Sequence, residues 1–501
     1  MTRNRTTCVL MLAVVLGLPV SHVVCSAAGP KPIWLAVTEP ELSAALKPLA
    51  EKRRSEGFEV VVSNQKVEAA LAALPRRPAF LLLAGHGESD PKNPRLPAKR
   101  LKLYRWRNTQ SAWFLSDMAW GDLDGDGIPD VPVGRIPAGT PGELELVVRK
   151  ILAYESQPPS SADLQSAIWL GSPGYNATID AAASALCLMT LQSDGPSWLQ
   201  PWLISGNIDD PYCGWPPDQP ARFTEQLKRG GIASILMGHA NRRAFFSMRF
   251  ASGAVWYRAG DAASTLSKGL PTPPMFFFSC ESGQFGQATP CEAEEFLLMP
   301  GGPVATVAAT TESHPLPNYF SGVCLLKAFG RRERRLGALW LNAQREALRS
   351  RNILIESMLR DVEGKLDPQI DEGKLRRDQM LMYTIFGDPA TRLRVPERLN
   401  ASIERTATGW RWKAKKPAGV VHIEVGFRPP RPPLASWNGP RRGEQEAARS
   451  FEAANAGFAF APLPSPPDNG VWEGEVERRG WIRLVASDKI HLYVAVLKAE
   501  K

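Results

Sequence analysis

Two runs decide how this chain folds: Ser234-Ile-Leu-Met-Gly-His-Ala240 and Pro274-Met-Phe-Phe-Phe-Ser-Cys-Glu281. Each is a short apolar stretch that stops at a reactive side chain, His239 in the first and Cys280 in the second. Four to eight apolar residues followed by a loop is the pattern of a strand buried on both faces, as in a parallel sheet. Open α/β sheets bind ligands just beyond the carboxyl ends of their strands. Two such strands side by side bring an imidazole and a thiol to one sheet edge, the material for a thiol nucleophile with a general acid/base. The two residues lie 41 positions apart. That leaves room for one crossover connection or an insertion, so the strands can be neighbours.

The same alternation recurs outward from these runs. Upstream, Pro32-Ile-Trp-Leu-Ala-Val37, Phe58-Glu-Val-Val-Val62 and Ala79-Phe-Leu-Leu-Leu-Ala84 read as strands, separated by helical patterns over 39–56 and 66–74. A strand at Val131-Pro-Val-Gly-Arg-Ile136 precedes a helix over 142–154, opened by the cap signal Thr140-Pro141. Gln157-Pro-Pro-Ser-Ser161 is a linker-like break. A second α/β unit starts at Ala167-Ile-Trp-Leu-Gly171 and continues through a helix near 179–192, the two opening runs, and Pro303-Val-Ala-Thr-Val-Ala-Ala309. Helical patterns fill 318–361, and Gln379 to Tyr383 leads into Thr384-Ile-Phe-Gly-Asp-Pro389. Strands alternating with helices imply mostly parallel sheets with flanking helices. Beyond about residue 396, short alternating runs among Pro-rich turns read as a small all-β sandwich.

The 501 residues suit several domains, and 44% hydrophobic residues suffice for a sizeable core. The net charge of +9 is mild and scattered, which argues against nucleic-acid binding. The tightest basic cluster, Arg331-Arg-Glu-Arg-Arg335, reads as the polar face of a helix. Residues 1–28 read as a secretory signal: Arg3 and Arg5, a thirteen-residue apolar run from Cys8 to Val20, then Ser26-Ala-Ala28. The expected location is therefore secreted or cell-envelope, periplasmic or at the surface, with no membrane span once the signal is removed. Of seven cysteines, five follow residue 28, and an odd number leaves at least one thiol free or paired between molecules. The expected organisation is a signal at 1–28, an N-terminal α/β subdomain at 29–158, a second α/β subdomain at 159–395 and a β-sandwich at 396–501, in a monomeric protein.

The chain resembles the gingipain family of caspase-like (clan CD) cysteine peptidases. The resemblance rests on Met237-Gly-His-Ala240, Phe278-Ser-Cys-Glu-Ser-Gly283, Cys291 to Phe296 leading to Gly301-Gly-Pro-Val-Ala305, Val133-Gly-Arg-Ile-Pro137, and Phe386-Gly-Asp-Pro-Ala-Thr-Arg-Leu393. The matches keep the family's order and cover roughly residues 32–395. They imply a caspase-like catalytic region of two α/β subdomains and, by position, an immunoglobulin-like tail. They also imply hydrolysis of protein or peptide substrates, with Cys280 as nucleophile, His239 as general acid/base, and the backbone N–H groups of Cys280 and Ala240 as oxyanion donors. No cofactor is required for that chemistry.

Two departures from the family pattern weigh on activity. The third residue of Gly-His-Gly is Ala240 here, which sets a methyl at the cleft. The segment Gly171-Ser-Pro-Gly174, where the family carries an acid that orients the histidine, holds none. These departures motivate the alternative of a catalytically inactive gingipain-fold binding or scaffold protein at the cell envelope. By resemblance, Asp180 is expected to bind a basic side chain of the substrate. Glu281, from its position beside Cys280, is also expected to contact substrate.

A second candidate site is Asp122-x-Asp124-x-Asp126-Gly-x-x-Asp130. Oxygen ligands at every second position with a turn glycine suit a structural Ca²⁺. The twelfth position of an EF-hand falls on Val133, so the loop is not an EF-hand. With the β-tail, it also raises a third reading, a calcium-dependent adhesin. His86, in Gly85-His86-Gly87, mimics the catalytic motif, but no strand ending in Cys follows it. His314 is expected in the loop beyond the next strand, lining the cleft. Cys291 and Cys324 read as packing residues or as a disulfide.

Overall fold

In the computed structural model, residues 29–87, 96–104, 112–174, 185–191, 193–357, 371–420, 422–430, 443–464 and 470–500 are described. Residues 1–28, expected to be a signal, and Asp180 lie outside them. From Pro32 onward the chain forms one compact unit.

The first half contributes β1 (Ile33–Thr38), α1 (Ser43–Ser55), β2 (Glu59–Ser63), α2 (Val67–Ala72), β3 (Phe80–Ala84), the small ribbon β4 (Lys99–Lys102) and β5 (Trp113–Ser116), then β6 (Val133–Ile136) and α3 (Pro141–Ser156). Thr140 caps α3 in a full capping box with Glu143, and Pro141 sits at its first turn, as the sequence predicts. The second half contributes β7 (Gln165–Leu170), α4 (described over residues 185–191), β8 (Gln200–Ser205), α5 (Gln219–Lys228) and β9 (Ala233–Met237). Next come β10 (His239–Asn241), β11 (Ala244–Phe250), β12 (Gly253–Tyr257), α6 (Ala259–Leu266), β13 (Met275–Phe278), α7 (Glu292–Leu298) and β14 (Thr306–Ala309). Helices α8 (Pro315–Phe329), α9 (Leu336–Arg349), α10 (residues 353–357) and α11 (Glu372–Met382) lead to β15 (Tyr383–Phe386).

Ten strands form one sheet in the order β2-β1-β3-β6-β15-β14-β13-β9-β7-β8. All pairings are parallel except one: β15 runs parallel to β6 but antiparallel to β14. The two groups of strands therefore point in opposite directions, and their carboxyl ends lie at opposite edges of the sheet. His86 follows β3 and so belongs to the edge away from His239 and Cys280.

Residues around β6 and just past β15 tie the two groups together. Gly134 on β6 approaches Gly387 so closely that a Cβ there would meet its carbonyl oxygen at 2.4 Å. Arg135 forms a buried fork with Asp117, both contacts at 2.7 Å, and donates to the carbonyls of Gly85 and Leu96. Asp388, just past β15, accepts from Trp34 Nε1 at 3.1 Å and from Arg53 Nε at 2.8 Å. Arg53 also binds Glu155 and Glu56, so a fully buried guanidinium meets three carboxylates. The cluster Arg331–Arg335 is not helical. It forms the turn between α8 and α9, where its arginines reach Glu346, Glu397 and Glu56.

The tail is a sandwich. One sheet has the order β16 (Glu397–Arg398), β23 (Leu492–Ala499), β22 (Gly480–Ser487), β19 (His422–Arg428) and β20 (Ala459–Pro462). The other has β17 (Ala401–Arg405), β18 (Trp410–Lys415) and β21 (Val471–Val476). Trp412, Trp472, Ile423, Ile482 and Leu484 fill the space between them. An inserted helix, α12 (Glu444–Asn455), leaves the sandwich and packs on the edge strand β8. Phe451 stacks edge-on against Trp202, and the Asn455 amide both donates to and accepts from the Leu203 backbone.

Candidate active site

Strand register builds the site. Leu170 on β7 pairs with Met237 on β9, and Met237 pairs with Phe278 on β13. His239 and Cys280 each lie two residues beyond this row, just past the ends of β9 and β13, which are adjacent, parallel and about 4.8 Å apart. Gly238 bridges the two chains by donating to the Phe278 carbonyl at 3.2 Å. The sequence thus anticipates the placement of both residues.

His239 does not end in a loop. It opens β10, the first strand of a separate antiparallel sheet β10-β11-β12, and pairs with Phe246. The connection between β9 and β13 is this hairpin insertion plus α6. The ring is exposed, and its Nε2 lies 3.1 Å from the Pro173 carbonyl oxygen. A carbonyl only accepts, so the bond requires the proton on Nε2 and leaves Nδ1 as the basic nitrogen of the neutral ring. The orienting group missing as an acid is present as main chain, in the Gly171–Gly174 segment itself. Ala240 is half-buried and packs its methyl against the core beside Phe245. The methyl expected to border the cleft therefore faces inward.

The Cys280 thiol is half-buried and donates to the Ser313 carbonyl at 3.5 Å, with Ser313 Oγ at 3.9 Å. Burial pushes the thiol above its ordinary range, the Ser313 bonds work against this, and the Glu281 and Glu312 carboxylates add to the rise. Glu281 has φ 59°, and among the described residues it is the non-glycine residue with positive φ. That turn reverses the chain so that 281–283 runs back along β14, with Glu281 N–H on the Thr311 carbonyl and Gly283 N–H on Ala309. The Glu281 carboxyl is itself raised, first by burial and then by Glu312.

His314 is buried rather than lining the cleft, because its Nδ1 accepts from Leu316 N–H and caps α8. The five cysteines after residue 28 are all free thiols, so Cys291 and Cys324 are not a disulfide.

In the acidic loop, carboxylate oxygens of Asp122, Asp124 and Asp130 lie within 4.8 Å of one another. Asp126 stands outside that group and accepts from Ile128 N–H. Asp122 accepts from Gly125 and Gly127, and Asp130 pairs with Arg77 at 2.9 Å. An all-oxygen set of this kind fits a hard cation, with Arg77 as a competitor for Asp130.

A caspase-like sheet with a thiol and an imidazole at one edge defines a cysteine-peptidase fold. The chain belongs to the peptidase family C25, whose model matches residues 28–394. Among solved structures, it is similar to the complex of Porphyromonas gingivalis RgpB pro- and mature domains, at 12% identity and TM-score 0.52, covering 94% of this chain and 100% of that one. It is also similar to the Arg-specific cysteine proteinase gingipain R, at 12% identity and TM-score 0.51 over 94% and 98%. A third similar structure, described only as a protease, has 14% identity and TM-score 0.55 over 93% and 97%. No curated protein sequence matches the chain.

Proposed function

We propose that this protein is a secreted or envelope-located cysteine endopeptidase that cleaves proteins or peptides through Cys280 and His239. The observation that supports this reading is that His239 and Cys280 each lie two residues past a register pair of adjacent parallel strands, Met237 with Phe278, and that the His239 Nε2–H is tied to the Pro173 carbonyl. That bond leaves Nδ1 to take the thiol proton. The thiolate attacks the scissile carbonyl and a carbon–sulfur bond forms. The oxyanion is held by the backbone N–H groups of Cys280 and Ala240. His239 then protonates the leaving amine as the carbon–nitrogen bond breaks, and water resolves the acyl-enzyme to a carboxylic acid and the free thiol. Among the described residues, no helix is long and apolar enough to cross a membrane.

The test is cleavage of a mixed peptide library by the wild type and by Cys280→Ala. The variant is expected to lose activity by about 10³-fold or more. Equal cleavage by both proteins would remove Cys280 from the mechanism, and no cleavage by either would favour the inactive scaffold. The reading also carries a structural Ca²⁺ at Asp122, Asp124 and Asp130. Calcium is expected to raise the Tm of the wild type and not that of Asp122→Asn. A Tm indifferent to calcium removes the ion.

A further inference from the structure

Ser313 lies between the Cys280 thiol and a set of buried polar side chains. The set is Asn318 on α8, Gln379 on α11 and Tyr383 at the start of β15, each less than a tenth exposed, as is Ser313. Tyr383 itself packs against Phe278 and Trp340. Polar groups in such a place are costly unless they find partners.

The bonds have a direction. The Tyr383 hydroxyl and the Gln379 amide both donate to Asn318 Oδ1, each at 2.7 Å. Two donors on one atom fix it as the oxygen end of the Asn318 amide. The nitrogen end faces Ser313, and Nδ2 donates to Ser313 Oγ at 2.9 Å. The Ser313 hydroxyl, already accepting, still has its one hydrogen to give. Two acceptors lie in reach among the described residues: the Tyr383 oxygen, whose own hydrogen is committed to Asn318, and Cys280 Sγ at 3.9 Å. The resting thiol gives its hydrogen to the Ser313 carbonyl at 3.5 Å. A thiolate has none to give and needs donors. Hydrogen bonds to an ion are about twice as strong as those to a neutral oxygen. Once the sulfur is charged, the Ser313 hydrogen therefore turns to it rather than to the phenol.

We propose that the Ser313 hydroxyl donates to the Cys280 thiolate, and that Asn318, by filling the hydroxyl's accepting side, is the positioning residue that turns it toward the sulfur. The use of the thiolate in catalysis rests on the peptidase reading, whereas the geometry does not. The surroundings call for such a donor: burial opposes the charge first, and the Glu281 and Glu312 carboxylates add to it. The other titratable groups at the neighbouring strands are Tyr383, kept neutral by burial, and His239, just past β9.

The experiment follows alkylation of Cys280 by iodoacetamide against pH, read at that residue by mass spectrometry, since the thiolate is the reactive form. It compares the full-length wild type with Ser313→Ala, Ser313→Thr, Asn318→Ala and the double variant Ser313→Ala/Asn318→Ala. Ser313→Ala is expected to move the profile to higher pH by about 0.5 units or more, and Ser313→Thr, which keeps the hydroxyl, to leave it near the wild type. Asn318→Ala is expected to move it the same way, by no more than Ser313→Ala, and to add nothing in the double variant. A profile unmoved in Ser313→Ala, or moved as far in Ser313→Thr, overturns the donor. No shift in Asn318→Ala, or a further shift in the double variant, overturns the positioning role. Should Asn318→Ala not fold, Asn318→Leu, closer in volume, is scored by the same criteria. Peptide cleavage separates this outcome from the peptidase reading. If the wild type cleaves no peptide, that reading falls and the alkylation profiles still decide the donor. If it cleaves, the acid limb of kcat/KM in Ser313→Ala is expected to move with the alkylation profile; an unmoved limb overturns the part of Ser313 in catalysis.

Discussion

Glu281 holds a backbone conformation that costs a non-glycine residue on the order of 1 kcal/mol. It does so next to Cys280, where its own carboxylate and that of Glu312 are close enough to act on the thiol. Removing a nearby negative charge favours the thiolate. In Glu312→Gln, the pH profile of Cys280 alkylation by iodoacetamide is therefore expected to move to lower pH; an unmoved profile would leave burial as the whole cause. The histidine poses a different question, because its partner is a carbonyl that every residue type carries. Pro173→Ala keeps that acceptor and is expected to retain activity within about 3-fold, against the 10²-fold or more that loss of an acid/base typically costs. The two reactive residues were legible because each ends an apolar run. Pro173 was not, since a main-chain acceptor leaves no mark in residue type. Nor could the inward turn of Ala240 be read from a three-residue motif.

At the level of elements, α7 connects the loop after Cys280 to the rest of the molecule. Its C-terminal end is held by the buried Lys150, whose Nζ donates to the carbonyls of Leu297 and Met299 at 2.6 and 2.8 Å. Its first residue, Glu292, is fully buried; its carboxyl lies near the Ala259 amide without a well-aligned bond, and burial pushes its pKa up to about 9. Between the ordinary value of 4.5 and about 9, the folded chain keeps a proton that the unfolded chain has lost. Its contribution is complete below the lower value and disappears as the pH rises through the upper one. Glu292→Gln is expected to be more stable than wild type at pH 8 by on the order of 2 kcal/mol, and about equal near pH 4. Denaturant titrations at both values check this, and equal stability at pH 8 would place a compensating partner on the carboxylate. The helices and core strands around α7 follow from periodicity. The hairpin sheet β10–β12 does not, because Ala244–Phe250 alternates only in part and lies in the gap that sequence leaves open to a crossover or an insertion. The reversal at β15 is likewise invisible, since a fully buried strand looks alike in either direction.

For the whole molecule, Arg53 is the joint between α1, α3 and the turn after β15. Removing one partner of such a cluster leaves buried charges uncompensated, so Arg53→Met is expected to cost about 3–5 kcal/mol in urea unfolding. A cost under about 1 kcal/mol would mean that the carboxylates take up protons and carry the loss. The order of the two halves and the sandwich was legible from texture alone. Their union in one sheet was not, because it depends on contacts between residues some 250 to 350 positions apart, such as Gly134 with Gly387 and Arg53 with Asp388.

The clasp of α12 on β8 bears on how the protein is made. Strand β8 is the last in the ten-stranded sheet, and its outer backbone groups at Leu203 are met by an amide that lies 252 residues later in the chain. A ribosome delivers the sheet well before it delivers Asn455. Until then the nascent protein carries an open strand edge, the kind of surface on which chains pair with one another. Release of a chain ending at residue 395 is thus expected to yield soluble aggregates on size-exclusion chromatography, where the full chain is expected to run as a monomer. The sandwich then serves less as an appendage than as the closing stitch of biosynthesis, and a monomeric product from the shortened chain would show that the edge guards itself.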